Sequence, residues 1–216
     1  MEHNIKVVFA VGAHGEFGNG DGLPWGAPLK GDMEHFREFT KGCVLVMGAK
    51  TYESLPKRLD DLDRMCVVIG RTKPVDKICA KNGELPNHTY ATSGADLAYS
   101  LNQIMLMYNK PVCVIGGAEL IKASTVLADE IMFTTVTNGS VDESHKTMPH
   151  TVSLDTSYLG TKNYPDGCVV TYNPSDTIYR KHLGFSSSDD RLETKYITTT
   201  RWLSKNKPNH REWYER

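Results

Sequence analysis

Five short runs in which almost every position is apolar and many are β-branched divide the first two thirds of the chain. They are IKVVFAV (5–11), CVLVM (43–47), CVVIG (66–70), PVCVIGG (111–117) and EIMFTTV (130–136). Runs with so little polar alternation predict strands covered on both faces, and helical spacing between them, near 32–40, 50–55, 95–108 and 118–126, predicts the helices that cover them. The expected fold class is therefore α/β, a largely parallel mixed central sheet flanked by helices. In the third helix, ADLAYSLNQIMLMY, Met105 and Met107 are assigned to core packing. Beyond about residue 150 the pattern weakens. KHLGFSSSDDR (181–191) reads as a polar loop, and RWLSKNKPNHREWYER (201–216) as a solvated end anchored by Trp202 and Trp213.

The bulk numbers narrow the function. With 216 residues, 39% hydrophobic and a formal net charge of -1, the chain has enough material for one domain with a ligand cleft, and lacks the basic surplus that phosphate-backbone binding needs. Its five cysteines, Cys43, Cys66, Cys79, Cys113 and Cys168, form no C-x-x-C and mostly lie in apolar runs, which reads as buried thiols in a reducing compartment. The N-terminal apolar run is too short for a membrane span and lacks a signal-peptide pattern, so a cytoplasmic protein is expected. The histidines make no ligand spacing with cysteines or carboxylates, so no metal is expected.

Two stretches share one design, a buried strand ending in glycine and turning directly into a helix: CVLVMGAKTYESL (43–55) and PVCVIGGAELI (111–121). Unpaired N–H groups at a helix start, with glycine permitting close approach, suit phosphate, although such junctions also serve merely as tight turns. Neither matches a P-loop or G-x-G-x-x-G fingerprint. Arg71, just past the CVVIG strand, is either a solvated loop charge or a further phosphate partner. Asp32 raises a sharper question. It shares one helical face with Phe36 and Phe39, so it is either a helix cap or a buried carboxylate with a raised pKa, suited to a ligand with paired N–H groups.

Taken in order, VVFAVGAHGEFGNGDGLPW, Asp32-x-x-x-Phe36, VLVMGAKTYESLP, RMCVVIGRT, VCVIGGAEL and IMFTTV resemble the dihydrofolate reductase family over roughly residues 5–158. GDGLPWG, MGAKT and TVSLDTSYL are similar in phrasing to its phage-encoded branch. The resemblance implies a single dihydrofolate-reductase-like domain over 1–216, with an extension of uncertain role from about 160, and NADPH-dependent reduction of 7,8-dihydrofolate to tetrahydrofolate, sensitive to methotrexate.

It also implies roles by position. Asp32 would bind the 2-amino and N3 groups of the pterin and promote protonation at N5, with Leu23 and Trp25 in the catalytic loop. Val8, Met33, Phe36, Leu55, Ile115 and Thr134 would line the substrate site, and Arg64 would hold the glutamate carboxylate. Ala10, Phe17, Gly18, Gly48, Lys50, Thr51, Ile69, Gly70, Arg71, Gly116, Gly117, Ala118 and Glu119 would line the cofactor site, with Gly116-Gly117 joined by a cis peptide. Because Ala49 stands where many relatives carry arginine, Lys50 and Arg71 would share the 2′-phosphate. The glycines at 18, 20 and 22, followed by Pro24-Trp25, suit a lid. The competing readings are a pyrimidine reductase of riboflavin synthesis and a non-catalytic ligand-binding module.

Overall fold

The computed structural model describes residues 4–70, 78–91, 97–138, 147–156, 167–172, 178–181 and 193–204. Six strands form its parallel centre: β1 (Ile5–Gly12), β3 (Val44–Gly48), β4 (Met65–Gly70), β5 (His88–Ala91), β6 (Val112–Gly116) and β7 (Glu130–Asn138). Their order across the sheet is β7-β1-β6-β3-β4-β5, every pairing parallel. All five expected strands are present to within two residues at each end.

Side chains alternate between two covers. On one face Val7, Phe9, Val11, Val44, Val46, Val112 and Val114 pack with Leu101, Ile104 and Met105 of α3 (Leu97–Tyr108) and Ile121 of α4 (Ala118–Thr125). On the other, Val8, Leu45, Met47 and Cys113 pack with Phe39 of α1 (Lys30–Thr40) and Tyr52 of α2 (Ala49–Ser54). The near-continuous apolar runs are thus explained, because each strand buries both faces. Met105 is 2% exposed, but Met107 is 56% exposed and is no core residue. Two positions on a helix lie about 200° apart, so a residue at i+2 from a buried one points away from it.

The largest departure from the sequence reading is at the C-terminal end. Here β11 (Glu193–Ser204) runs antiparallel along the full length of β7, with Thr198 opposite Thr135 and Trp202 opposite Ile131. Trp202 therefore belongs to a strand, not to a solvated tail. Beside β11 lie β9 (Gly167–Tyr172) and β10 (Ile178–Lys181), both antiparallel to it, and Lys181, expected at the start of a polar loop, ends β10. Trp213 and residues 182–191 lie outside the described residues.

A separate small ladder pairs β2 (Glu16–Gly18) with β8 (Val152–Ser153). It anchors the glycine-rich segment that follows β2. Gly20 N–H donates to Thr151 Oγ1 at 2.9 Å, and Asn19 and Gly22 exchange backbone hydrogen bonds at 3.0 Å.

Candidate active site

Helix α1 opens without a side-chain cap: its N-cap is Leu29. Asp32, in the first turn, turns instead to the sheet and hydrogen-bonds the Thr134 side chain on β7. Thr134 is 1% exposed, and its register partner across the sheet is Ala10 of β1. Burial pushes the Asp32 carboxyl above its ordinary range, and the Thr134 hydrogen bond and the nearby His35 only partly offset this. A desolvated carboxylate beside a hydroxyl, with no buried cation against it, favours the protonated form and seeks donors.

Around this carboxyl the chain gathers the apolar walls. Trp25 and Leu29 are buried with Val136 and Met148, and Leu23 and Ala10 pack against them. The Trp25 indole Nε1 is buried without a hydrogen-bond partner. Val8 lies two residues before Ala10 on the same face of β1, and Phe36, Leu55 and Ile115 pack on its cluster. Met33 is 37% exposed and belongs to no core cluster. Arg64 lies with its Cζ 5.8 Å from the centre of the Phe36 ring.

The two strand-to-helix junctions meet beside these walls. β3 and β6 are neighbours, with Met47 opposite Gly116. A Cβ placed on Gly116 would come within 2.8 Å of Thr51 Cγ2 and 2.9 Å of Thr51 Oγ1, and one on Gly48 would lie 3.9 Å from Gly117 N. At Gly116 a side chain would have to displace Thr51, so glycine allows the close approach there, while the contact at Gly48 is an ordinary one. The Gly116-Gly117 peptide is cis. Lys50 is exposed on the first turn of α2, and Glu119 is exposed on the first turn of α4.

The other expected residues are spread over neighbouring elements. Ile69 is buried in the cluster under α3 and α4, Gly70 ends β4, and Ala118 and Phe17 pack against that same cluster. Gly18 contacts Val152 across the small ladder, its would-be Cβ 3.6 Å from Val152 Cβ. Arg71 lies outside the described residues. Among the described residues no three histidine, cysteine or acidic side chains could hold a metal, and no helix is long and apolar enough to cross a membrane.

Sequence spacing passed over three polar residues. Thr40 Oγ1 accepts from Arg64 Nη1 at 3.1 Å, and Asp61 binds Arg64 through both its carbonyl and its carboxylate. The third, Glu16, is fully buried, its carboxylate accepting the N–H of His14 and of Met148, each at 2.8 Å. Thr40 continues the Asp32, Phe36 spacing by four residues, which is the one signal that could have found it.

The sheet is of the parallel α/β class, and a half-buried carboxyl, apolar clusters and two glycine-bearing strand-to-helix junctions lie toward the carboxyl ends of its strands, the region where open α/β sheets bind ligands. The profile described as dihydrofolate reductase matches residues 4–155, and the chain belongs to that family. It is 34% identical over 137 residues to dihydrofolate reductase type 8 of Escherichia coli, covering 61% of this chain and 73% of that one. Dihydrofolate reductase type A10 of Escherichia coli is 27% identical over 180 residues, 82% of this chain and 88% of that one, a share that extends past residue 155. Among solved structures, dihydrofolate reductase from Enterococcus faecalis complexed with NADP(H) and RAB-propyl aligns with a TM-score of 0.58 at 17% identity, over 95% of this chain and 99% of that one. That likeness concerns the fold.

Proposed function

We propose that the protein reduces 7,8-dihydrofolate to 5,6,7,8-tetrahydrofolate with NADPH. The observation that carries this is Asp32, bonded to Thr134 opposite Ala10 and the apolar cluster that Ala10 joins, with its carboxyl shifted toward the protonated form. Such a group accepts the paired N–H donors of the pterin at its 2-amino and N3 positions and favours a proton at N5. Bound NADPH supplies the hydride that C6 receives, so the N5=C6 double bond gains one hydride and one proton. Val8, Phe36, Leu55 and Ile115 are the apolar side chains that exclude water from the ring, with Met33 at the exposed margin. Leu23 and Trp25 would close over the ring from the glycine-rich loop. Arg64 takes the glutamate carboxylate.

Two strand-to-helix junctions lying side by side support the cofactor site: Gly48, Thr51, Gly116 and Gly117 come together there, and Lys50 stands exposed beside them. The roles of Ala10, Phe17, Gly18, Ile69, Gly70, Ala118 and Glu119 at that cofactor are part of the same reading. Gly116→Ala forces a methyl group onto Thr51, at a cost of about 1–3 kcal/mol. Taken out of cofactor binding, that is roughly a ten- to hundredfold rise in the NADPH Kd, measurable by quenching of intrinsic fluorescence. Arg71→Ala is expected to weaken NADPH more than NADH, and equal weakening of both would remove Arg71 from the 2′-phosphate.

The chain is read as one domain in which β9, β10 and β11 complete the sheet. The free, buried thiols of Cys43, Cys66 and Cys113 support a cytoplasmic setting. The direct test is oxidation of NADPH on mixing purified protein with dihydrofolate, with and without methotrexate. Methotrexate-sensitive loss supports the reductase. Binding of NADPH without turnover would favour the pyrimidine reductase or the non-catalytic module.

A further inference from the structure

We propose that Asp61 sets how far the protein distinguishes ligands with a carboxylate tail from ligands without one, by occupying the Arg64 guanidinium before a ligand arrives. This rests on the reading that Arg64 receives the glutamate carboxylate. The Arg64 side chain is only 2% exposed, and three hydrogen bonds hold it: Nε to the Asp61 carbonyl at 3.0 Å, Nη1 to Thr40 Oγ1 at 3.1 Å, and Nη2 to the Asp61 carboxylate. A guanidinium carries five N–H donors, so a ligand finds the remaining ones on a cation already neutralised by its neighbour.

Asp61 also has somewhere to go. Its side chain is 51% exposed, and its second carboxylate oxygen lies 3.6 Å from Nη2 of Arg37, which is itself 56% exposed. Arg37 follows Phe36 on α1, and the Phe36 ring lies under the Arg64 guanidinium. Two cations and one half-exposed carboxylate therefore meet at this end of α1. The Arg64 hydrogen bond above all, with the charges of Arg64 and Arg37, holds the Asp61 carboxyl below its ordinary range against the opposing effect of burial, so Asp61 is ionised at neutral pH.

A tail carboxylate entering this end meets Asp61 across one cation. Two carboxylates on one guanidinium repel, and the internal one needs no association step. Asp61 must swing onto Arg37, or the tail must accept a weakened contact. Either way the tail contributes less to affinity than an unoccupied arginine would allow. A ligand that ends before reaching Arg64 is unaffected. Asp61 is thus a specificity-determining residue that touches the arginine, not the reacting ring.

The test compares 7,8-dihydrofolate with 6-methyl-7,8-dihydropterin, which keeps the ring and lacks the tail, in the unsubstituted protein, Asp61→Asn and Asp61→Ser. Asp60→Asn, at an exposed neighbour paired with Arg58, controls for the loss of one surface charge. The expected result for both Asp61 variants is a KM for dihydrofolate lowered about two- to fivefold, as for removal of a competing charge at a partly exposed pair, with the KM for the tail-less substrate unchanged. An unchanged or raised dihydrofolate KM, or equal shifts for both substrates or in Asp60→Asn, overturns the proposal and leaves Asp61 as a support for Arg64. If the unsubstituted protein turns over neither substrate, the reductase reading fails and the proposal falls with it.

Discussion

Asp32→Asn is expected to lower dihydrofolate turnover by roughly 10²–10³-fold while changing the NADPH Kd little, because the amide fills the space but cannot hold or release a proton. The pH profile should change with it. In the unsubstituted protein, activity is expected to fall as pH rises through the Asp32 pKa, which burial places above the ordinary aspartate value of 3.8; in the variant that limb should disappear. The substitution itself has the opposite effect on stability. A carboxyl whose folded-state pKa lies above its unfolded value stabilises the fold fully only at low pH, and that contribution is lost as pH rises through the folded pKa. Asp32→Asn removes the cost of a desolvated charge, so its Tm at neutral pH should equal or exceed that of the unsubstituted protein. A clear fall in Tm with proportionate losses of turnover and NADPH binding would make Asp32 a structural residue.

Glu16→Gln is expected to be the most damaging isosteric change to stability. Burial raises the Glu16 pKa, but N–H bonds from Met148, Glu16 itself and His14, helped by the His14 charge, outweigh it and hold the carboxyl below its ordinary value of 4.5. Each carboxylate oxygen faces an N–H donor. A glutamine would turn one acceptor into a donor against a donor, at about 2–4 kcal/mol. A methyl group on Gly12 would lie 2.2 Å from Glu16 Oε2, so the carboxylate has little room to adjust. For a depressed carboxylate the stabilisation is complete above the unfolded pKa and is lost as pH falls through the folded one. The gap between the two proteins in urea midpoint should therefore be widest at neutral pH and close in acid, below the ordinary glutamate value. Because Glu16 ties the start of the glycine-rich loop to Met148, amide hydrogen exchange over 13–26 and 148–154 should accelerate before the rest of the sheet responds. Equal midpoints at neutral pH would show the two N–H groups to be satisfied in another way.

What the sequence made legible follows from local physics. β1, β3, β4, β6 and β7 could be read because a strand buried on both faces needs apolar residues at successive positions. Asp32 could be read because a helix repeats its faces over seven residues. β11 escaped because ETKYITTTRWLS mixes polar with apolar positions, as an antiparallel strand can, and its partner β7 lies far back along the chain. β2 and β8 are too short for any period to register. Met107 was misplaced by counting apolar residues instead of their angles. Glu16 and Asp61 were invisible for a different reason: a buried glutamate is recognised only with the N–H groups that satisfy it, one of which comes from Met148, and the hold of Asp61 on Arg64 depends on a turn that no helical spacing encodes.

The pairing of β7 with β11 bears on how the protein is made. During translation β7 leaves the ribosome with β1 available on one side and nothing on the other, since β11 is specified only by residues 193–204. At about 5–20 residues per second the intervening stretch takes several seconds to synthesise. Throughout that interval EIMFTTV offers an unpaired, apolar edge to any neighbouring chain. An edge of that kind is most open to pairing with other chains late in synthesis, after most of the candidate site residues already exist.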